Sequence, residues 1–207
     1  MDIILIRHLP IDINDSVCYG CSDVPLAISD EIAIQVTLDR LTYLGAPIPY
    51  RIWSSPLIRC SKVSERIAAS LDVPFQSDIG LQEINFGSWE MHNWNNIDRT
   101  DLDAWANNLM ETRIHKGESV AQFASRINQI FDVVSSINFP QWVFTHAGVI
   151  RVFTEIALRL PICTLLARSI PFGGIVWLRR DALYDVWKII HWDNSNGSTY
   201  NINNVAN

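Results

Sequence analysis

Short apolar runs and longer amphipathic stretches alternate along most of the chain. Ile3 to Ile6 is an uninterrupted apolar run bounded by charge, the pattern of a strand buried on both faces. His8 follows just past its carboxyl end. From Ile28 to Leu44 apolar residues recur at helical spacing, with Ser29 placed to cap a helix and Gly45 and Pro47 placed to close it. A second short run, Tyr50 to Trp53, leads into Ser54-Ser55-Pro56, which predicts a serine-capped helix from about Pro56 to Leu71. Gly117-Glu118-Ser119 opens a further amphipathic stretch with Val120, Phe123, Ile127, Ile130, Phe131 and Val134 on one face. Trp142 to Thr145 reads as a strand, followed at once by His146-Ala147-Gly148 and a helix over Val149 to Leu160.

Near the C-terminus, Ile175 to Leu178 and Val186 to Trp192 flank Arg179-Arg180-Asp181-Ala182 as a hairpin or as two neighbouring strands. Trp142, Trp177, Trp187 and Trp192 fall within strand-like runs and read as core. Residues 193–207, rich in Asn and Ser, read as a poorly ordered polar tail. Residues 91–116 hold Trp94 and Trp105 without a clean period and read as a mixed helical excursion or lid, whose aromatic rings suit either ligand stacking or packing. The alternation of strand and helix predicts one α/β domain over residues 1–192, a three-layer sandwich of mostly parallel sheet with helices on both faces. In such sheets ligands bind beyond the carboxyl ends of the strands. His8, Ser54-Ser55 and His146 each fall on a connection of that kind.

Composition narrows the function classes. The 207 residues are 48% hydrophobic and 18% charged, enough for one sizeable core. A net charge of -6 argues against nucleic acid or an anionic membrane as partner. The N-terminal apolar run is too short for a signal peptide, and no later stretch suits a membrane span. A cytoplasmic location is therefore expected, with the four cysteines as reduced thiols. Cys18 and Cys21 form a lone C-x-x-C, while Cys60 and Cys163 stand far away in no matching spacing, so neither a metal nor another cofactor is expected.

Phosphoryl transfer without a metal needs fixed positive charge for the phosphoryl oxygens, an in-line nucleophile and an acid for the leaving oxygen. Arg7, His8, Arg59, Glu83 and His146 supply those types. Taken singly, each has a plainer reading. His8 could end a buried strand, Arg59 shares a helix with Lys62 and Arg66 as an exposed basic face would, Glu83 could be a loop carboxylate, and His146 could bond only to backbone. Glu90 is a weaker catalytic candidate, and His92, His115 and His191 read as surface or core residues.

Four segments taken together are more specific. Ile-Arg-His at 6–8, Ser-Ser-Pro-Leu-Ile-Arg at 54–59, Leu-Gln-Glu-Ile-Asn-Phe-Gly-Ser-Trp-Glu at 81–90 and Thr-His-Ala-Gly at 145–148 resemble the histidine phosphatase superfamily, the phosphoglycerate-mutase-like proteins, in that family's order. Gly117-Glu118-Ser119 fits between the third and the fourth. The resemblance implies the phosphoglycerate-mutase-like fold, with His8 as a transient phosphohistidine. It implies that Arg7, Arg59 and His146 bind the phosphoryl oxygens and that Glu83 protonates the leaving group and then helps water attack. Asn14, six residues after His8, stands where many members carry a phosphate-pocket asparagine.

The chain departs from the family at Leu9-Pro10, where glycine and often glutamate are usual; a bulkier residue there is expected to narrow the pocket or disturb its loop. The following Tyr19-Gly20 and Asp23-Val24-Pro25-Leu26 resemble the α-ribazole phosphatase-like branch, in which a proline-containing loop follows the histidine. That branch implies α-ribazole 5′-phosphate or a related cobalamin-pathway phosphate ester as substrate. The interval between Glu83 and His146 lacks the longer insertion typical of mutases, which favours a phosphatase. The expected partner is a small phosphorylated metabolite, and the expected assembly is open to a homodimer. A broad sugar-phosphate phosphatase and a non-catalytic phosphate-binding relative are the competing readings.

Overall fold

The computed structural model describes residues 1–181 and 183–194. The N-terminal apolar run forms β1 (Asp2–Arg7), an interior strand. Successive side chains point to opposite faces, so Ile3 and Leu5 enter one core and Ile4 and Ile6 the other. The chain continues through β2 (Val17–Cys18), α1 (Asp30–Tyr43), β3 (Arg51–Ser54), α2 (Ile58–Leu71) and β4 (Phe75–Ser77). It then forms β5 (His92–Asn93), α3 (Arg99–Asn107), α4 (Val120–Ser135), β6 (Gln141–Thr145), α5 (Ala147–Ala157), β7 (Ile175–Asp181) and β8 (Val186–Trp192).

Six strands form one sheet in the order β4-β3-β6-β1-β7-β8. β4, β3, β6 and β1 are parallel neighbours, and β7 alone runs against the others. The core on one face joins Ile3, Leu5, Val143 and Val176 to Phe123, Ile127, Val149 and Phe153 of α4 and α5. The core on the other face joins Ile4, Ile6, Ile52 and Trp142 to Ala33, Val36, Val63 and Ile67 of α1 and α2. This is the mixed α/β sandwich expected from the alternation of runs. Trp142, Trp177, Trp187 and Trp192 are buried in it.

Local signals set most helix starts. Ser29 Oγ accepts the Ile32 N–H at 3.4 Å to cap α1. At α4, Ser119 Oγ accepts Gln122 N–H at 3.2 Å while Gln122 Oε1 accepts Ser119 N–H at 3.1 Å, a reciprocal capping box. α2 departs from expectation: it begins at Ile58, after Pro56, and no serine caps it. Ser55 Oγ is committed to Leu57 N–H and His146, and the cap comes from a distant loop, where Asp23 Oδ1 accepts Ile58 N–H at 2.7 Å. α5 starts earlier than its apolar period suggested, immediately after His146.

Residues 91–116 contain β5, a single 3₁₀ turn at Trp94–Asn96 and α3, with β5 paired antiparallel to β2. Trp89, on the neighbouring 3₁₀ turn, packs against Trp94, Trp105 and His115 with ring centroids 6.4, 5.8 and 4.9 Å away, so the rings near this excursion pack on one another. Of the tail expected to be poorly ordered, residues 193–207, the part from 195 to 207 lies outside the described residues. Order does continue past the expected boundary, because Asp193 accepts from Ile175 N–H at 2.8 Å and pairs with Arg40 and His191. Among the described residues, no helix is long and apolar enough to cross a membrane.

Candidate active site

His8 stands where β1 ends, with its backbone fixed on both sides: its N–H donates to Thr145 O at 3.1 Å and its carbonyl accepts Gly173 N–H at 2.9 Å. The ring Nδ1 lies 2.8 Å from Leu9 O. A carbonyl only accepts, so Nδ1 carries the proton and Nε2 keeps its lone pair. Burial first, and then the Arg7 and Arg59 charges, hold the His8 pKa well below the ordinary histidine value. The imidazole is therefore neutral at neutral pH and presents an unprotonated nitrogen.

His146, at the junction of β6 and α5, has its ring centroid 5.3 Å from that of His8. Its Nδ1 accepts Arg59 Nε–H at 3.3 Å, which leaves Nε2 to donate to Ser55 Oγ at 2.9 Å. Burial, followed by Arg59 and His8, also lowers its pKa well below the usual value. Arg59 is only 1% exposed. Its Nη1 and Nη2 donate to Ser22 O at 2.6 Å and Gly20 O at 2.7 Å. Each Nη has a second N–H left over for a ligand. The exposed basic face suggested by Lys62 and Arg66 thus does not extend to Arg59. Arg7 Nη1 donates to Ile170 O at 2.5 Å, its Cζ lies 3.9 Å from the Phe172 ring centroid, and its Nε is buried without a partner.

Glu83 reaches the start of α5, where Oε2 accepts Gly148 N–H at 3.0 Å and Oε1 accepts Ile84 N–H at 3.1 Å. A carboxylate is favoured at a helix N-terminus, where backbone N–H groups lack intrahelical partners. A Cβ on Gly148 would stand 2.3 Å from Glu83 Oε1, so the approach needs glycine there. The backbone carrying Glu83 is gripped by Arg126 of α4. That guanidinium donates to Gly80 O, Gln82 O and Glu83 O at 2.9 to 3.1 Å and forms a two-bond pair with Glu118. All five of its N–H groups are used.

Glu90 is an organiser of the site. It accepts Cys21 N–H at 3.0 Å, Phe86 N–H at 2.9 Å and the Ser22 hydroxyl, tying the loop that holds Arg59 to the segment that holds Glu83. Gly20, at φ +39°, lets Glu90 Oε1 come within 2.5 Å of where a Cβ would be. Asn14 is not brought into the group. It is exposed, and its Oδ1 accepts Ser16 N–H at 2.9 Å and Ser16 Oγ–H at 2.7 Å. Leu9 neither narrows the pocket nor disturbs it, because its side chain is buried in the α1–α2 core and abuts Gly173 while its carbonyl orients His8. Cys18 and Cys21 are neutral thiols, each pushed up to about 12 by burial first and by Glu90.

Beside these groups opens a cavity of about 370 Å³. Arg7, Tyr19, Glu83, Gly148 and Arg151 line its inner end, and Phe86, Trp94, Trp105, Phe123, Ile162 and Leu166 give it an apolar wall. His8, Arg59 and His146 are almost wholly buried next to it. Sequence reasoning brought Arg7, His8, Arg59, Glu83 and His146 together but missed Arg126, Arg151 and the wall of residues 161–174. Arg151 had a signal: it follows Gly148 by three residues, which puts both on one face of α5. The 161–174 wall has no period at all, and only Pro171-Phe172-Gly173-Gly174 marks it as a turn. Phe172 packs against His8 at 5.5 Å between ring centroids.

The fold has many solved counterparts. A mycobacterial glucosyl-3-phosphoglycerate phosphatase superposes with a TM-score of 0.76 at 22% identity, covering 94% of this chain and 99% of that one. The α-ribazole phosphatase of Shigella flexneri gives a TM-score of 0.80 at 20% identity, covering 94% and 96%. A phosphoserine phosphatase mutant of Entamoeba histolytica in complex with phosphoserine gives 0.76 at 20% identity, covering 95% and 98%. No curated protein sequence matches the chain. The family model of the histidine phosphatase superfamily (branch 1) matches residues 3–195, nearly the whole length. The chain therefore belongs to the histidine phosphatase superfamily and is a phosphoric monoester hydrolase of that α/β fold.

Proposed function

We propose that this phosphatase works without a metal, through a phosphohistidine on His8. The observation that carries this reading is the His8 Nδ1 bond to Leu9 O at 2.8 Å, which leaves Nε2 as a neutral nucleophile among Arg7, Arg59 and His146. Nε2 attacks phosphorus in line as the bond to the leaving oxygen breaks, and Glu83 gives that oxygen its proton. Glu83 then takes a proton from water as the water oxygen attacks the phosphohistidine, which releases inorganic phosphate and restores His8. Arg7 and Arg59 hold equatorial oxygens through their positive charge and N–H groups, which offset the charge that develops there, and His146 serves a third oxygen when its Nε2–H turns from Ser55 Oγ to the phosphoryl group. The carbonyls of Ser22 and Gly20 keep Arg59 in place before substrate arrives, so its guanidinium needs little reorganisation.

The cavity bears on the choice of leaving group. Its aromatic and aliphatic wall supports a flat, apolar ring system, and α-ribazole 5′-phosphate, the ester suggested by Tyr19-Gly20 and Asp23-Val24-Pro25-Leu26, is the nucleoside candidate. A second reading, a phosphorylated acid, has an observation of its own in the Arg151 cation at the same cavity. The decisive experiment is hydrolysis of p-nitrophenyl phosphate, α-ribazole 5′-phosphate and a panel of sugar and acid phosphates in the presence of EDTA. Turnover that resists EDTA, disappears in His8→Ala and is accompanied by an acid-labile phosphoenzyme in the unmodified protein is the expected result. Full activity in His8→Ala would sink the mechanism.

A further inference from the structure

One cation at the cavity has no part in the hydrolytic steps. Arg151 lies on α5 and its Nε–H donates to Arg168 O at 2.9 Å, which fixes the plane of the guanidinium. Among the described residues, Nη1 and Nη2 have no hydrogen-bond partner and no carboxylate within ion-pairing distance. The acidic groups nearby are committed elsewhere. Glu155, one turn further along α5, accepts Leu165 N–H at 2.6 Å and Cys163 N–H at 3.2 Å, and Glu83 accepts Gly148 and Ile84 N–H. Asp15 lines the cavity at an exposed position. Burial pulls the Arg151 pKa down, Glu83 and Glu155 draw it back up, and Arg7 opposes them, so the cation is held in a partly desolvated place by carboxylates it does not touch.

Chemistry during turnover sharpens the imbalance. Until Glu83 gives its proton to the leaving oxygen it is uncharged and does not offset Arg151. Val152, Ile162 and Leu166 line the same cavity, and such apolar surroundings strengthen a charge pairing made beside them. A guanidinium anchored at Nε and open at both Nη groups matches the two oxygens of a carboxylate.

We infer that Arg151 is an anchoring subsite for a carboxylate on the leaving group, so that the preferred substrates are phosphate monoesters of hydroxy acids. The inference rests on the phosphomonoesterase reading and names its substrate class. It disfavours a nucleoside ester, which brings no second anion to offset Arg151.

The test compares two esters of nearly equal size and leaving-group shape, 3-carboxybenzyl phosphate and benzyl phosphate, with p-nitrophenyl phosphate as reference. Unmodified protein should favour the carboxylated ester by about tenfold or more in kcat/KM, chiefly through KM, as a charge-assisted pair in a partly buried site predicts. Arg151→Gln should bring the ratio of the two esters close to one, and Arg151→Lys should restore part of it. Thermal unfolding of both variants shows whether they are folded, and the ratio within each variant is independent of how much active protein survives. Equal kcat/KM for the two esters in unmodified protein, or a preference that survives in Arg151→Gln, overturns the inference and leaves the phosphomonoesterase reading standing. No turnover of any of the three esters overturns both.

Discussion

The reactivity of His8 is set by a single backbone carbonyl. Leu9 O takes the Nδ1 proton, so the ring is held in one tautomer and Nε2 is the free nitrogen. Leu9, where the family usually has glycine, keeps this function because only its carbonyl faces the ring. Its side chain goes into the core instead. Glu83 is placed by equally local means, through two backbone N–H groups at the start of α5. If it is the acid, its importance scales with the basicity of the leaving oxygen. Glu83→Gln should lower kcat on an alkyl phosphate by about a hundredfold or more, and on p-nitrophenyl phosphate by much less, because nitrophenolate leaves without a proton. Steady-state rates on the two esters measure this directly, and equal losses would remove Glu83 from the role.

At the level of elements, the site depends on strand ends and helix starts held together by long-range clamps. Arg126 on α4 fixes three carbonyls of the Glu83 segment and Glu118 besides. Arg126→Lys keeps the charge but loses the planar fork, and a lysine cannot reach Gly80, Gln82, Glu83 and Glu118 at once. The expected outcome is a fall in kcat of about tenfold to a hundredfold, larger on alkyl phosphate than on p-nitrophenyl phosphate, since what is displaced is the acid. Glu118→Gln, which leaves the carbonyl grip intact, should fall less, and a uniform loss on both esters would show that Arg126 serves stability alone. The same contrast explains what could be read from the sequence. His8, Arg59, Glu83 and His146 each lie beside a strand end or helix start that local apolar runs, Pro56 and Gly148 announce. Arg126 sits between Ser125 and Ile127 in an amphipathic helix, where a polar residue looks like solvent face, and its partners are residues far away in the chain. The α2 start was misplaced for a similar reason, because its cap is Asp23 from another loop. Asn14 shows the converse, a residue in the family's position whose side chain folds back on Ser16.

For the molecule as a whole, building a site from buried neutral imidazoles has a consequence for stability. His8 and His146 have pKa values well below the ordinary value, from burial first and neighbouring arginines second, and His115 is lowered by burial and Arg113. In the unfolded chain the same rings titrate near the usual value of about 6.5. As pH falls through that value the unfolded state takes up protons that the folded state refuses, so stability is full above it and is lost progressively below it. Each fully buried imidazole contributes a slope of up to about 1.4 kcal/mol per pH unit in that window. The carboxylates held low, Glu31 by Arg66 and Asp98 by Thr100, act in the same direction only at more acidic pH, below the usual carboxylate range. Glu155, raised by burial, works the opposite way, in a window that runs upward from the usual carboxylate range. Thermal unfolding between about pH 7.5 and pH 5.5 therefore reads the histidines with the lowered carboxylates Glu31 and Asp98 out of range. The melting temperature should fall by several degrees over that interval, on the scale of about 2–4 °C per kcal/mol for a chain of this size. His8→Gln should remove close to half of the decline due to the two site histidines. A melting temperature that stays flat across the interval would mean that these rings accept protons in the folded state, and His8 would then lose the neutral nitrogen on which the phosphohistidine mechanism depends.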